Sequence, residues 1–440
     1  MRPIAGLVGA AALLAGCVPT DMDGQLLVAM VAAGADAIER PPAVSDAEFD
    51  LGRALFFDKE LSGNRDTACA SCHHPRALTG DGLSLSFGTG STGVADDRVL
   101  GEGQELIPRN SPELFNRGDS AWTTMFWDMR VATDPYAPGI SAPSLVPAGL
   151  NGALAAQALF PPTSRGEMRG FSGDVGVDGS PNELAELEDA SDIWAALSQR
   201  IHAIPEYVEM LAQAYPEQGP AASGMVQIGN AIAAFEAEAF ALPGAPYDRY
   251  LRGEFDALTE AEKRGGLLFF GDAACSECHS GPLLTDQLAH NLAVPQLGPG
   301  KEEGSPLDRG RVIETGDDKD TFCFRTPPLR NVEATGPWMH NGAYTTLEGA
   351  VRHHLNVRVS LRDWDAGQLD PAFADSVSDE AEVRGALLAR LDPSMETPIE
   401  LSDAEFSDLI EFLGALTDPE VWELGRFVPD SVPSGMPVDR

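Results

Sequence analysis

Basic side chains are scarce in this chain. Thirty Lys and Arg stand against 68 Asp and Glu, a formal net charge of −38. So acidic a surface excludes nucleic acid as a natural partner, while it suits a basic protein partner and a salty habitat equally well. Long apolar runs are missing too. The run from Ile4 to Gly16, behind Arg2, falls short of the about 20 residues that a membrane-spanning helix needs. Its end, Leu14-Ala15-Gly16-Cys17, reads as a lipoprotein export signal. Residues 1–16 are predicted to be removed, Cys17 to carry lipid, and the mature chain to sit in the periplasm, anchored to a membrane. An ordinary secretory signal with Cys17 as a bystander is the alternative, and it also delivers the chain outside the cytoplasm. Cysteine is sparse. The six present give no disulfide framework. Nor is any region β-rich, so the fold is predicted to be mainly α.

Four of the cysteines fall into two copies of one pattern, Cys69-Ala70-Ser71-Cys72-His73 and Cys275-Ser276-Glu277-Cys278-His279. This spacing lets two thiols add across the two vinyl groups of one haem while the adjoining imidazole reaches the iron from the same side. A dithiol redox motif, half of a zinc site and a structural disulfide are the competing readings. A dithiol motif does not require the trailing His twice, and zinc would want further Cys pairs close by. Two covalently bound haem c groups are therefore predicted, with His73 and His279 as iron ligands. Cys323 is left over and reads as a buried small residue, with a reactive thiol as the alternative.

The two motifs sit in segments of parallel layout. Ser45-x-x-Glu48 and Thr259-x-x-Glu262 read as capping boxes opening two helices. These run through Arg53-Ala54-Leu55-Phe56-Phe57 and Gly266-Leu267-Leu268-Phe269-Phe270 towards the motifs. Each half closes on an amphipathic helix, with Met225, Ile228, Ile232, Phe235 and Ala239 at helical spacing in the first. Phe406, Leu409, Ile410, Leu413 and Leu416 do the same in the second, behind Ser402-x-x-Glu405. An opening helix, a haem motif, a loop-rich middle and a closing helix describe a cytochrome c-like domain, so two such domains are predicted. The layout is a signal peptide over 1–16, a tether with a short helix over 17–44, a first domain over 45–243, a second over 244–424 and a Pro-rich tail over 425–440. The boundary falls where Leu242-Pro243-Gly244-Ala245-Pro246 breaks the helical pattern. Residues 80–106 and 132–185 lack lasting periodicity and read as long irregular loops.

Further markers stand in order along the chain. They include Gly52-Arg53-Ala54-Leu55-Phe56-Phe57-Asp58, Arg109-Asn110-Ser111-Pro112, Phe126-Trp127-Asp128 and Glu167-Met168. The second half adds Phe324-Arg325-Thr326-Pro327-Pro328-Leu329-Arg330-Asn331 and Pro337-Trp338-Met339-His340-Asn341-Gly342. With the two haem motifs, these residues resemble the bacterial dihaem cytochrome c peroxidase family, which includes the related oxidase that matures methylamine dehydrogenase.

The resemblance implies that the first haem reacts with peroxide and the second feeds it electrons. It makes His73 the proximal ligand of the peroxidatic haem and His279 that of the electron-transfer haem. It places Trp127 between the haems as an electron relay, or as an aromatic filling the interface. It places Glu167 on the open face of the first haem, where a carboxylate in a dry pocket suits proton movement. It also implies one calcium ion held by the Asn110 side chain and the backbone carbonyls of Thr335 and Pro337, and often a homodimer. Asn110 reads equally well as a turn residue.

Two departures from the family pattern matter. Well-studied peroxidases cap the resting first iron with a His from the loop after the first motif, but residues 80–108 contain none. The first haem is therefore predicted to rest open, without that switch. The outer ligand of the second haem, often Met or Tyr in the family, falls on His354 when aligned from Pro337. Locally, Thr345-x-x-Glu348 predicts a helix start, and Leu347, Ala350, Val351 and His354 then share one face while His353 points elsewhere. The alternative keeps His354 as a hydrogen-bonded core residue, with Met339 or His353 as ligand.

The leading expectation is an oxidoreductase that reduces hydrogen peroxide to water with electrons from a small donor such as cytochrome c or a cupredoxin. The rival is a dihaem oxidase of the protein-maturation type acting on a protein or organic substrate. A non-catalytic electron-transfer lipoprotein is third, because it would need both haems capped on both faces.

Overall fold

The computed structural model describes residues 21–133, 146–218, 224–302 and 304–440. The export signal and Cys17 lie outside the described residues. In chain order the first half carries α1 (Met22–Ala32), α2 (Asp46–Phe57), α3 (Cys69–Cys72), α4 (Ala153–Gln157), α5 (Ala190–His202), α6 (Pro205–Ala214) and α7 (Met225–Ala239). The second carries α8 (Pro246–Leu251), α9 (Glu260–Phe269), α10 (Val312–Thr315), α11 (Leu347–Leu355), α12 (Val357–Asp363), α13 (Ala381–Leu388) and α14 (Asp403–Gly414). Strands among the described residues are two residues long and form three antiparallel pairs. The fold is mainly α.

Helix α9 starts on a complete capping box, with Glu262 N–H donating to Thr259 Oγ1 and Thr259 N–H to Glu262 Oε2. Helix α14 repeats this at Ser402 and Glu405. At α2 only half of the expected box forms. Ser45 Oγ accepts from Glu48 N–H, but the Glu48 carboxylate is taken by the Tyr215 hydroxyl. Helix α11 corrects the sequence reading by one residue. Its cap is Thr346, whose Oγ1 accepts from Gly349 N–H, while Thr345 N–H turns to the Gln368 side chain.

Each half is built on the crossing of its opening and closing helices. In the first, α2 and α7 meet so closely that a Cβ on Gly52 would lie 1.9 Å from the Ala231 carbonyl oxygen. In the second, α9 and α14 leave a Cβ on Gly265 the same 1.9 Å from Asp408 O. Four residues beyond each glycine an aromatic ring packs on the closing helix, Phe56 on Phe235 and Phe269 on Phe412, both at 5.3 Å between centroids. Only glycine admits such contact, so the internal repeat is written in matching glycine–aromatic pairs.

The chain ends are exchanged between the halves. Helix α1, within the expected tether, buries Leu26 and Met30 in the core of α9 and α14, and Asp23 pairs with Lys263 at 2.8 Å. Conversely, Val421, Leu424 and Val432, from after the second closing helix, join the core of α2 and α7. The Pro-rich tail ends against the first Cys-x-x-Cys-His segment. Asp439 accepts from Lys59 Nζ at 2.6 Å and from Ser71 Oγ at 2.8 Å, and its carbonyl meets His74 Nε2 at 3.2 Å. These are charge-assisted bonds in a largely dry place. Asp439→Ala should lower the unfolding free energy by about 1.5–3 kcal/mol, read as a lower urea midpoint with unchanged slope.

Candidate active site

Both Cys-x-x-Cys-His segments open into a cavity, and no disulfide joins either pair. In the first, the short turn of α3 returns His73 N–H to Cys69 O at 2.9 Å, so both thiols and the imidazole face the same hollow. His73 Nδ1 donates to Thr79 O at 3.0 Å, which leaves Nε2 as the acceptor nitrogen, with the Ser111 hydroxyl 3.4 Å from it. Burial depresses the His73 pKa to about 4, leaving the neutral ring that binds metals. His73 is the one histidine among the described residues that lines this cavity. Glu167 lines it too, at the centre of a single π-turn, Arg165–Arg169. Burial raises the Glu167 pKa, while Arg130, a hydrogen bond from Ser164 and Lys301 oppose the rise.

Four histidines line the second cavity, His279, His290, His340 and His354, and two of them, His279 and His354, lie close together. His279 N–H returns to Cys275 O at 2.9 Å, and His279 Nδ1 donates to Leu284 O at 3.1 Å. His354, in the last turn of α11, donates from Nδ1 to Ala350 O at 2.9 Å. The ring centroids lie 6.2 Å apart. Two imidazoles bonded to one metal at about 2 Å, with each ring centre about 1 Å beyond its nitrogen, would lie roughly 6 Å apart. The one-residue shift of the α11 cap leaves the helix phase intact, and Leu347, Ala350, Val351 and His354 all line this cavity. His353 does not. Its two nitrogens are taken by Tyr344 Oη and Leu292 O, both at 2.7 Å. Met339 reaches the cavity wall as well.

Between the cavities stands a wall of Asn110, Glu113, Trp127 and Arg325, which line both. Trp127 is 8% exposed and donates from Nε1 to Asn110 O at 3.0 Å. The halves are stitched here, because Arg325 N–H donates to Trp127 O and Asn110 N–H to His340 O, both at 2.8 Å. The Asn110 amide donates to Leu83 O at 2.8 Å, which turns its oxygen the other way. Thr335 and Pro337 lie in the second cavity's wall with it.

The sequence model of the di-haem cytochrome c peroxidase family matches residues 46–256. The cytochrome c551 peroxidase of Pseudomonas aeruginosa is 31% identical over 315 residues, 71% of this chain and 72% of that one. The chain belongs to the di-haem cytochrome c peroxidase family. Methylamine utilization protein MauG of Methylorubrum extorquens is 28% identical over 367 residues, 83% of this chain and 77% of that one. A solved MauG-like protein associated with microbial copper homeostasis matches with a TM-score of 0.58 at 28% identity, covering 89% of this chain and 95% of that one. As a member of the di-haem peroxidase family the protein is an oxidoreductase of the cytochrome c peroxidase type, and two c-type haems are implied.

The cavity walls fit two haems. Gln296 Nε2 and His340 Nε2 in the second and Glu236 Oε2 in the first are buried polar atoms without a protein partner. Arg325 is buried, and among the described residues its guanidinium donates to the backbone oxygens of Phe126 and Thr326. Burial, with Arg117 close by, depresses its pKa to about 9. A guanidinium so placed, facing both cavities, suits the carboxylate side chains of haem.

Three cavity-lining residues of this peroxidase-family chain were not singled out in its sequence. Arg130 lies two residues past Phe126-Trp127-Asp128, Gln157 ten before Glu167, and Lys301 in a loop of the other half. Arg130 and Lys301 meet on Asp128, which is fully buried and accepts from Arg109 at 2.5 Å, Arg130 at 2.9 Å and Lys301 at 2.5 Å. Burial opposes its ionisation, but Arg130, Arg109 and Lys301 outweigh that and hold it well below the usual carboxylate range. A depressed folded pKa stabilises fully above the unfolded value of about 3.9 and loses that contribution as pH falls towards the folded one. Asp128→Asn should therefore cost about 3–5 kcal/mol at neutral pH, by leaving buried cations without their anion. The cost should shrink in acid below the normal carboxyl pKa, as pH-dependent chemical denaturation would show.

Proposed function

We propose that this protein reduces hydrogen peroxide to water at the first cavity, with electrons delivered through the second by a small periplasmic donor such as a cytochrome c or a cupredoxin. The observation that carries this reading is an asymmetry. The second cavity has an imidazole pair at metal-sharing distance, whereas the first has one imidazole and, in the same hollow, the half-buried carboxyl of Glu167. One site is built to carry electrons and the other to admit a ligand.

In this reading Cys69, Cys72, Cys275 and Cys278 attach the two haems, and His73, His279 and His354 ligate iron. The bound haems supply the redox-active iron that takes up peroxide and exchanges electrons. Glu167 moves a proton from one peroxide oxygen to the other, so that one peroxide, two electrons and two protons leave as two waters. Trp127 relays electrons across the wall, held rigid by its bond to Asn110 O. A calcium ion on Asn110 with the carbonyls of Thr335 and Pro337 would brace that wall, an all-oxygen set that suits a hard cation. The lipid on Cys17 would hold the enzyme at a membrane, as a monomer or homodimer.

The loop after the first motif supports an open resting site. It contains no His, and Leu83, Leu85 and Phe87 are locked into a core with Val294, Leu297 and Phe373 of the other half. Ser84 Oγ donates to Gly342 O across the same seam. The imidazole pair also favours a second reading, a maturation-type oxidase acting on a protein or organic substrate, since an imidazole in place of Met lowers a haem's potential. Peroxide turnover with reduced donor separates the two.

In that assay Glu167→Gln should slow steady-state turnover about 10²–10⁴-fold while leaving the ferric spectrum nearly intact. An unchanged rate would return Glu167 to a structural role. His354→Ala should convert one low-spin bis-imidazole paramagnetic signal to high spin and spare the other haem. A near-infrared band of Met-ligated haem in the native protein would remove His354 from the iron.

A further inference from the structure

The first cavity is electrically unlike the rest of the molecule. The chain carries a net charge of −38, yet Arg109, Arg117, Arg130, Lys301 and Arg325 line this hollow against Glu113, Glu167 and Glu236. Glu113 is neutralised by Arg117 at 2.6 Å. Burial pushes Glu236 up to about 8 and raises Glu167 as well.

Lys301 is the unexpected member. It comes from the second half and reaches over the seam to Asp128 Oδ2 at 2.5 Å and Glu314 Oε1 at 2.8 Å. Arg130 is fixed by the same Asp128 and lies 3.4 Å over the Phe126 ring. The charges that bear on Glu167 are these two cations and Asp128, with Ser164 donating a hydrogen bond to it.

We propose that Lys301 is a positioning residue, contributed by the second half, that together with Arg130 makes the open face of the first cavity a site for a small singly charged anion. The inference rests on reading that cavity as the peroxide site. Peroxide enters neutral, its O–H bond breaks, the proton goes to a Glu167 carboxylate oxygen and the electron pair stays on oxygen as HOO⁻. Lys301 and Arg130 stabilise that negative charge, and they keep Glu167 ionisable in spite of its burial.

The test is ligand binding to the ferric dihaem protein at neutral pH, with azide as the anionic probe and imidazole as the neutral one, both followed by visible spectroscopy. Lys301→Met should weaken azide about tenfold, as one lost charge in a partly shielded site would, and leave imidazole within about twofold. Lys301→Arg should restore azide. Glu314→Gln, outside the cavity wall, should tighten azide several-fold, and it serves if Lys301→Met fails to load haem. Equal changes for both probes, or no azide change in either variant, would overturn the role of Lys301. If the native protein binds neither probe, the open first site itself is wrong, and the fault lies with the functional reading.

Discussion

Asp128 is the constraint on which the rest of the site depends. It has no exposed surface and takes hydrogen bonds from three cations, two from its own half and one from the other. A lone carboxylate could not remain ionised there, and three guanidinium and ammonium groups could not be gathered there without it. The neighbouring Trp127 is held from both sides, through Asn110 O and Arg325 N–H. Asp308 extends the network by clamping Arg109 through both its oxygens. The wall between the cavities is therefore an electrostatic joint, and the apolar cores lie on either side of it.

A joint of this kind also needs the halves to be unable to drift apart, and the exchanged chain ends supply that. Helix α1 closes the second core and the C-terminal segment closes the first, so neither half completes its core from its own stretch of chain. The loop carrying Leu83, Leu85 and Phe87 adds a third apolar seam directly beside the wall. Burial of several large side chains at about 1.5–3 kcal/mol each outweighs any single ion pair at the surface. Rigid spacing between two redox centres is what such packing secures.

Much of this was legible in the sequence. The Cys-x-x-Cys-His motifs, the opening and closing helices and the α11 stripe carry local signals, namely fixed spacings, caps and helical periodicity. What was hidden depends on contacts between distant residues. Ser45 looked like the other capping boxes, but Tyr215 competes for Glu48. Thr345 and Thr346 offer the same hydroxyl, and the side chain of Gln368 decides between them. Lys301 sits among glycine and acidic residues without any pattern, and only the folded chain brings it to Asp128. The exchange of chain ends is invisible for the same reason, since α1 and the tail read as accessory segments.

The two halves descend to the same helix crossing, yet the side chains around their histidines diverge, and that divergence decides what each can do. His73 and His279 are oriented alike, by a backbone return to the first Cys and a carbonyl on Nδ1. In the second half a whole helix, α11, brings another imidazole to metal-sharing distance. In the first, the loop after the motif packs its apolar residues into the other half and contains no His. Glu167 is brought in instead by a π-turn, a geometry that aims one side chain at the cost of a regular helix. One scaffold thus yields one cavity with a close imidazole pair and one with a single imidazole beside a carboxyl, because a helix reaches across the first of these and a clamped loop packs away from the second.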